Sequence, residues 1–176
     1  YNGYLVFWVE VTNSGKEYAG KEVIQVYASA PEGQLEKPYQ ELVAFKKTEE
    51  LQPGDSELMM MRVPLAALAS YSSAEAAWKL EAGDYLIRMG NSSRSTQPLA
   101  IVRIEQMKKT EQLKNLFDAD AKMGTITDTE HGKTALKKKN DRVRRETEEA
   151  LEFVPVVVAD LSQICCEEIV YSAGVR

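Results

Sequence analysis

Histidine is almost missing from this chain: 176 residues contain one, His131. It sits in the polar, turn-like segment DTEHGK with no other His or Cys at metal-ligand spacing, and protein metal centres of the zinc type need three or four such ligands. No metal site or cofactor is expected. Cysteine is nearly as scarce. Cys165 and Cys166 are neighbours and cannot supply the long-range staple of a small secreted domain, so reduced thiols and a cytoplasmic location are the better reading. No apolar run approaches the ~20 residues that a spanning helix needs, and no membrane partner is expected. The net charge of −5 gives no general attraction to nucleic acid. Methionine is absent from the first position, which is Tyr1. Because residues 4–12 already alternate as a strand, the chain reads as part of something longer, and the lack of a signal peptide carries no information.

What remains is a globular composition, 44% hydrophobic and 28% charged, organised in short alternating runs. Leu5, Phe7, Val9 and Val11 share one face of a strand, while Val6, Trp8, Glu10 and Thr12 share the other. Asn13, Ser14 and Gly15 make a turn, and Val23 to Ala28 is a second strand. A loop punctuated by Pro31, Gly33 and Pro38 runs from Ser29 to Tyr39. Leu42 to Lys47 is a strand, LQPGD at 51–55 a tight turn, and Glu57 to Val63 the returning strand, stopped by Pro64. Its Met59, Met61 and Val63 face one way, Leu58, Met60 and Arg62 the other. Leu65 to Tyr71 has the spacing of one or two helical turns. Trp78 to Leu80, the turn EAGD and Tyr85 to Gly90 read as a hairpin-like unit, and after the polar loop NSSRSTQ a last strand spans Leu99 to Glu105.

About seven short strands at regular spacing predict an all-β sandwich or barrel over residues 1–105. Trp8, Tyr27, Phe45, Trp78 and Tyr85 are its candidate core aromatics, since buried rings supply much of the apolar area of a small domain. Each of these rings is also of the type that stacks on sugars, and their positions in alternating strands favour packing.

Three runs in order, VTNSGKEYAGKEVIQVYASAP, EKPYQELVAFKKTEELQPGDSE and WKLEAGDYLIRMGNSSR, resemble the fibronectin type III-like domain attached to family 3 glycoside hydrolases, chiefly β-glucosidases. The likeness covers Tyr4 to Ile104. It implies an immunoglobulin-like sandwich lacking its first strand, which leaves a partner strand exposed. It also implies an architectural role beside a catalytic barrel and an α/β domain. Retaining glycosidases need two carboxyl groups about 5 Å apart, and in this family both come from segments that nothing here matches. The 27 acidic residues sit mostly at turns or in charged runs such as Glu49, Glu50 and Asp55, where solvated surface is the default. No catalytic residue is therefore expected, and the chain alone is read as non-catalytic. An independent carbohydrate- or protein-binding sandwich is the alternative. For that role Tyr39 is the candidate substrate-binding residue, because in some relatives loops of this domain come near the mouth of the active site. Asn91-Ser92-Ser93 fits the glycosylation acceptor pattern, and a polar turn explains it equally well.

Beyond Glu105 the character changes. Residues 106–134 read as a wrapping segment and linker. Within them Lys108 to Phe117 is either a short helix or a strap over the sandwich, with Leu113, Leu116 and Phe117 as its apolar side. Residues 135–176 read as a charged helix and strand leading to a missing domain. Ala135 to Phe153 is a solvated helix carrying Lys137, Lys138, Lys139, Arg142, Arg144 and Arg145, then Glu146, Glu148, Glu149 and Glu152. Clustered cations attract phosphate. The adjoining acidic run cancels much of that field and no stacking aromatics are interleaved, so no nucleic-acid partner is expected. Pro155 to Ile164 reads as a buried strand and turn, and Glu167 to Tyr171 as another strand. In permuted members of the family a tail of this kind would connect to the barrel.

Overall fold

The computed structural model describes residues 3–114 and 129–159, and the backbone of 168–172. In chain order the strands are β1 (Tyr4–Thr12), β2 (Val23–Ser29), β3 (Glu41–Lys47), β4 (Ser56–Pro64), β5 (Ser70–Ser72), β6 (Ala77–Leu80), β7 (Gly83–Ser92), β8 (Ser95–Ile104) and β9 (Lys108–Gln112). The helix α1 (Glu130–Ala150) and strands β10 (Val156–Val158) and β11 (Glu168–Ser172) follow.

Period-two alternation builds the first layer. Leu5, Phe7, Val9 and Val11 of β1 are buried and pair antiparallel with β4, Phe7 opposite Met61 and Val9 opposite Met59. Leu58 and Met60 of β4 point outward and are exposed. Pro53 and Gly54 make the preceding turn, with Gly54 at φ +87°, the positive value that the third position of a type II turn requires. β11 lies parallel to β1 along its other edge, giving the sheet order β11-β1-β4. The edge expected to stand open is therefore paired.

The second layer is a five-stranded sheet in the order β10-β8-β7-β2-β3. Ile24, Val26, Tyr85, Ile87, Val102 and Val157 face the first layer and fill a common core with it. A small third sheet, β5-β6-β9, is separate in its strand pairing, and Leu80 of β6 joins the common core.

Several expectations are corrected. β6 and β7 do not form a hairpin: β6 pairs with β5 and β9, while both edges of β7 are taken by β2 and β8. The chain changes sheet at Gly83, whose φ of +134° is open only to glycine and whose missing Cβ leaves room for Pro31. The NSSRSTQ segment is mostly strand, since β7 and β8 run to Ser92 and from Ser95. Leu65 to Leu68 is a 3-10 turn with both leucines buried, but Ser70 and Tyr71 already belong to β5. Lys108 to Gln112 is strand β9, held by pairing to β6, and Leu113 is exposed. Leu116, Phe117, Cys165 and Cys166 lie outside the described residues.

Among the core aromatics, Tyr27 and Tyr85 are buried and Trp8 is half-buried, whereas Phe45 is 69% and Trp78 38% exposed. Phe45 faces outward from the edge strand β3. Truncating it to Ala is expected to change stability by no more than about 0.5 kcal/mol, as for an ordinary surface site. A loss comparable with a buried-aromatic truncation, about 3–5 kcal/mol in denaturant unfolding, would refute the exposed placement.

The helix also differs. It begins at Glu130, not Ala135, because the Thr129 hydroxyl accepts from the Gly132 amide at 2.9 Å, the N-cap bond that Thr favours. His131 thus lies in its first turn. Nor is α1 solvated all round. Val143, Thr147 and Ala150 form a narrow stripe at helical spacing, and Ala150 packs with Leu86 and Ile101 on the outer face of the five-stranded sheet. That third layer explains why Tyr85 to Met89 are buried without alternation.

Candidate functional site at the loop between β2 and β3

The loop of residues 30–40 is closed from two sides by ionic side chains. From one side comes Glu81, in the link between β6 and β7. It forms a buried ion pair with Lys37 and accepts from the amides of Gln34 at 2.7 Å and Leu35 at 3.4 Å. Lys37 also donates to the Pro31 carbonyl at 3.1 Å. Gly33 permits this approach, since a Cβ there would lie 2.7 Å from Glu81 Oε1. Burial pushes the Glu81 carboxyl up, but Lys37 and the two amides together outweigh it and hold the group below the usual range.

From the other side comes α1. The Tyr39 hydroxyl donates to Glu146 Oε2 at 2.7 Å, and its ring lies under the guanidinium groups of Arg142, at 4.2 Å, and Arg88, at 5.4 Å. Glu146 also pairs with Arg88 and, at 2.9 Å, with Arg142 Nε. Arg88, buried mid-strand in β7, donates from Nε to Ser29 Oγ at 3.2 Å. Lys139 Nζ donates to the Lys37 carbonyl at 2.8 Å, and Asn140 to Glu32 at 3.0 Å. Burial raises the Tyr39 phenol, reinforced by its bond to Glu146. Burial likewise pushes Glu146 up, yet the bonds from Tyr39 and Arg142 and the charge of Arg88 bring it below the usual carboxylate range.

Tyr39, the candidate substrate-binding residue, is thus half-buried in an internal cluster. Asn91 is exposed near the end of β7, where its carbonyl accepts from Gln25 at 2.8 Å. Lys37, Glu81 and Arg88 have no reading from the sequence, and Glu146, which reads there as one of a solvated acidic run, is instead 20% exposed and bound to Tyr39 and Arg88. One signal was present: Arg88 interrupts the apolar run YLIRM, and a charge within a buried strand demands a partner. Chemically, Glu81 and Glu146 are both held below the usual carboxylate range, whereas a glycosidase general acid needs a raised pKa. These carboxylates are fixed acceptors that shape a loop.

Residues 22–93 match the fibronectin type III-like domain family. The chain carries a fibronectin type III-like domain. β-Glucosidase A of Butyrivibrio fibrisolvens is 43% identical to the chain over 99 residues, which are 54% of this chain and 12% of that protein. A β-glucosidase of Kluyveromyces marxianus is 35% identical over 99 residues, 56% of this chain and again 12% of the relative. Among solved structures, a β-glucosidase from Paenibacillus barengoltzii superposes with a TM-score of 0.57 at 39% identity, covering 59% of this chain and 12% of that one. The chain therefore spans about an eighth of the length of the curated relatives that it matches. Lys37, Tyr39, Glu81 and Arg88 all lie within the matched fibronectin type III-like residues, whereas Glu146 and the rest of α1 lie beyond them.

Proposed function

We propose that this chain is a non-catalytic, architectural module of a family 3 glycoside hydrolase, its parent a β-glucosidase acting on β-linked glucosides. The module packs against the parent's catalytic barrel and α/β domains and helps hold their relative positions. The observation that carries this reading is the size of the likeness: a domain-length match to β-glucosidases that makes up only 12% of each of the first two relatives. The depressed carboxylates at the β2–β3 loop support it, because they suit fixed acceptors and not an acid/base pair.

The two outer faces of the sandwich suggest which one meets the rest of the enzyme. α1 already covers β7 and β8 of the five-stranded sheet. The outer face of β1 and β4 presents Leu58, 61% exposed, and Met60, 41% exposed, beside half-buried Trp8. Exposed apolar residues clustered on one sheet face mark an interaction site. Replacing both Leu58 and Met60 by Glu is expected to leave the unfolding midpoint of the isolated chain nearly unchanged. The same pair of changes in the full-length parent should lower its thermal midpoint and shorten its active lifetime. An unchanged parent would rule out this face. Turnover of an aryl β-glucoside by the purified chain alone would rule out the non-catalytic reading.

A further inference from the structure

Strands β5, β6 and β9 place three side chains in a row. Tyr71 is opposite Trp78, and Trp78 is opposite Glu111, and cross-strand partners share a face. The Tyr71 and Trp78 ring centroids are 5.5 Å apart at an interplanar angle of 56°, and the rings are 40% and 38% exposed. Their neighbours on the opposite face, Ala77 and Lys79, are buried. The sheet therefore has an inner side and an outer side, and the aromatic rings stand on the outer one.

A Tyr–Trp pair left 40% and 38% exposed forgoes a substantial part of the burial that makes these residues stabilising. The strip spans two strand spacings, about 10 Å, with a carboxylate at one end. It is far smaller than the ~800 Å² per partner of a standard protein interface. Its chemistry matches a pyranose, which has apolar C–H faces and a rim of hydroxyl donors. In a β-1,4-linked glucose chain the ring substituents are equatorial, so each unit offers two flat apolar faces, whereas an α-1,4-linked chain coils away from a flat contact.

We infer that the Tyr71–Trp78–Glu111 row is a binding site for β-linked glucan chains. The Trp78 face stacks on a glucose ring, Tyr71 flanks it, and the Glu111 carboxylate accepts from hydroxyl groups. The choice of a β-linked sugar rests on the reading of the parent as a β-glucosidase; the row itself does not.

The chain has two tryptophans, so Trp8→Phe leaves Trp78 as the reporter. Titration of that variant with cellotetraose is expected to give a saturable fluorescence change with Kd of about 1 mM, and maltotetraose none. By calorimetry on the otherwise unaltered chain, Trp78→Ala should abolish the cellotetraose heat and Glu111→Gln should weaken binding about tenfold. Both should keep the wild-type circular dichroism, because the two side chains are exposed. No saturable response to cellotetraose, or one that survives Trp78→Ala, overturns the site. A response to maltotetraose as strong as to cellotetraose overturns the β-glucan assignment. A chain that stabilises its parent yet binds no cellotetraose loses this site alone and leaves the module reading standing.

Discussion

Glu81→Ala is expected to lower the unfolding free energy by about 3–5 kcal/mol, the range for removing one partner of a buried ion pair. A domain of this size has about 5–15 kcal/mol in all. The change removes more than the charge partner of Lys37, because the Gln34 and Leu35 amides lose their acceptor as well. Denaturant unfolding at neutral pH measures the loss. Glu81→Leu combined with Lys37→Met removes both charges and replaces them with apolar volume, and should be less damaging than Glu81→Ala alone. Acid should reproduce part of the effect in the unaltered chain. The Glu81 carboxyl titrates lower folded than unfolded, so its contribution is complete above the unfolded value, about 4.3. It disappears as pH falls through the depressed folded value. Glu81→Gln should flatten the stability profile over that acid window. A full-strength acid response in Glu81→Gln would assign the response to other carboxylates.

The sandwich was legible because strands with one buried face write their own pattern. β1 and β4 follow period two, and the turn before β4 carries Pro53 and Gly54 at positions that require them. Partnership was less legible. β6 reads as the neighbour of β7 because two residues, Glu81 and Ala82, separate them, yet pairing depends on which edges other strands have already occupied, and local sequence does not contain that. Phe45 and Trp78 look like core rings for the same reason. Alternation tells which residues share a face, not whether that face is covered. The loop cluster was hidden more deeply. Tyr39 was visible as an aromatic in a long loop, but its partner Glu146 is 107 residues away, in a run of Glu, Lys and Arg whose surface role is the default. Only Arg88, a charge in a strand buried on both faces, pointed to a missing anion.

Glu146→Ala is the change expected to separate α1 from the sandwich. The helix has little apolar surface to hold it, since Val143, Thr147 and Ala150 are the buried stripe over its last two turns. Its position along the sheet therefore depends on directional contacts, and Glu146 makes two of them, to Tyr39 and Arg88, beside an i,i+4 pair with Arg142 inside the helix. Those to Arg88 and Arg142 are not equal. The Arg142 side chain is 56% exposed, so Arg142→Ala should cost no more than about 1 kcal/mol. Arg88 is buried, with a side chain 6% exposed. Removing Glu146 leaves its guanidinium with Ser29 as the remaining hydrogen-bond partner identified, and a loss of about 3 kcal/mol is expected. Arg88→Met in the Glu146→Ala background should recover part of that loss, giving a coupling energy of at least about 1 kcal/mol in a double-mutant cycle. Amide exchange supplies the spatial readout: protection should fall in α1 and the 30–40 loop while β1 and β4 remain protected. Equal effects of Glu146→Ala and Arg142→Ala would mean that the buried arginine does not need this helix. The apolar stripe, with the bonds from Lys139 and Asn140 to the loop, would then hold α1 in place.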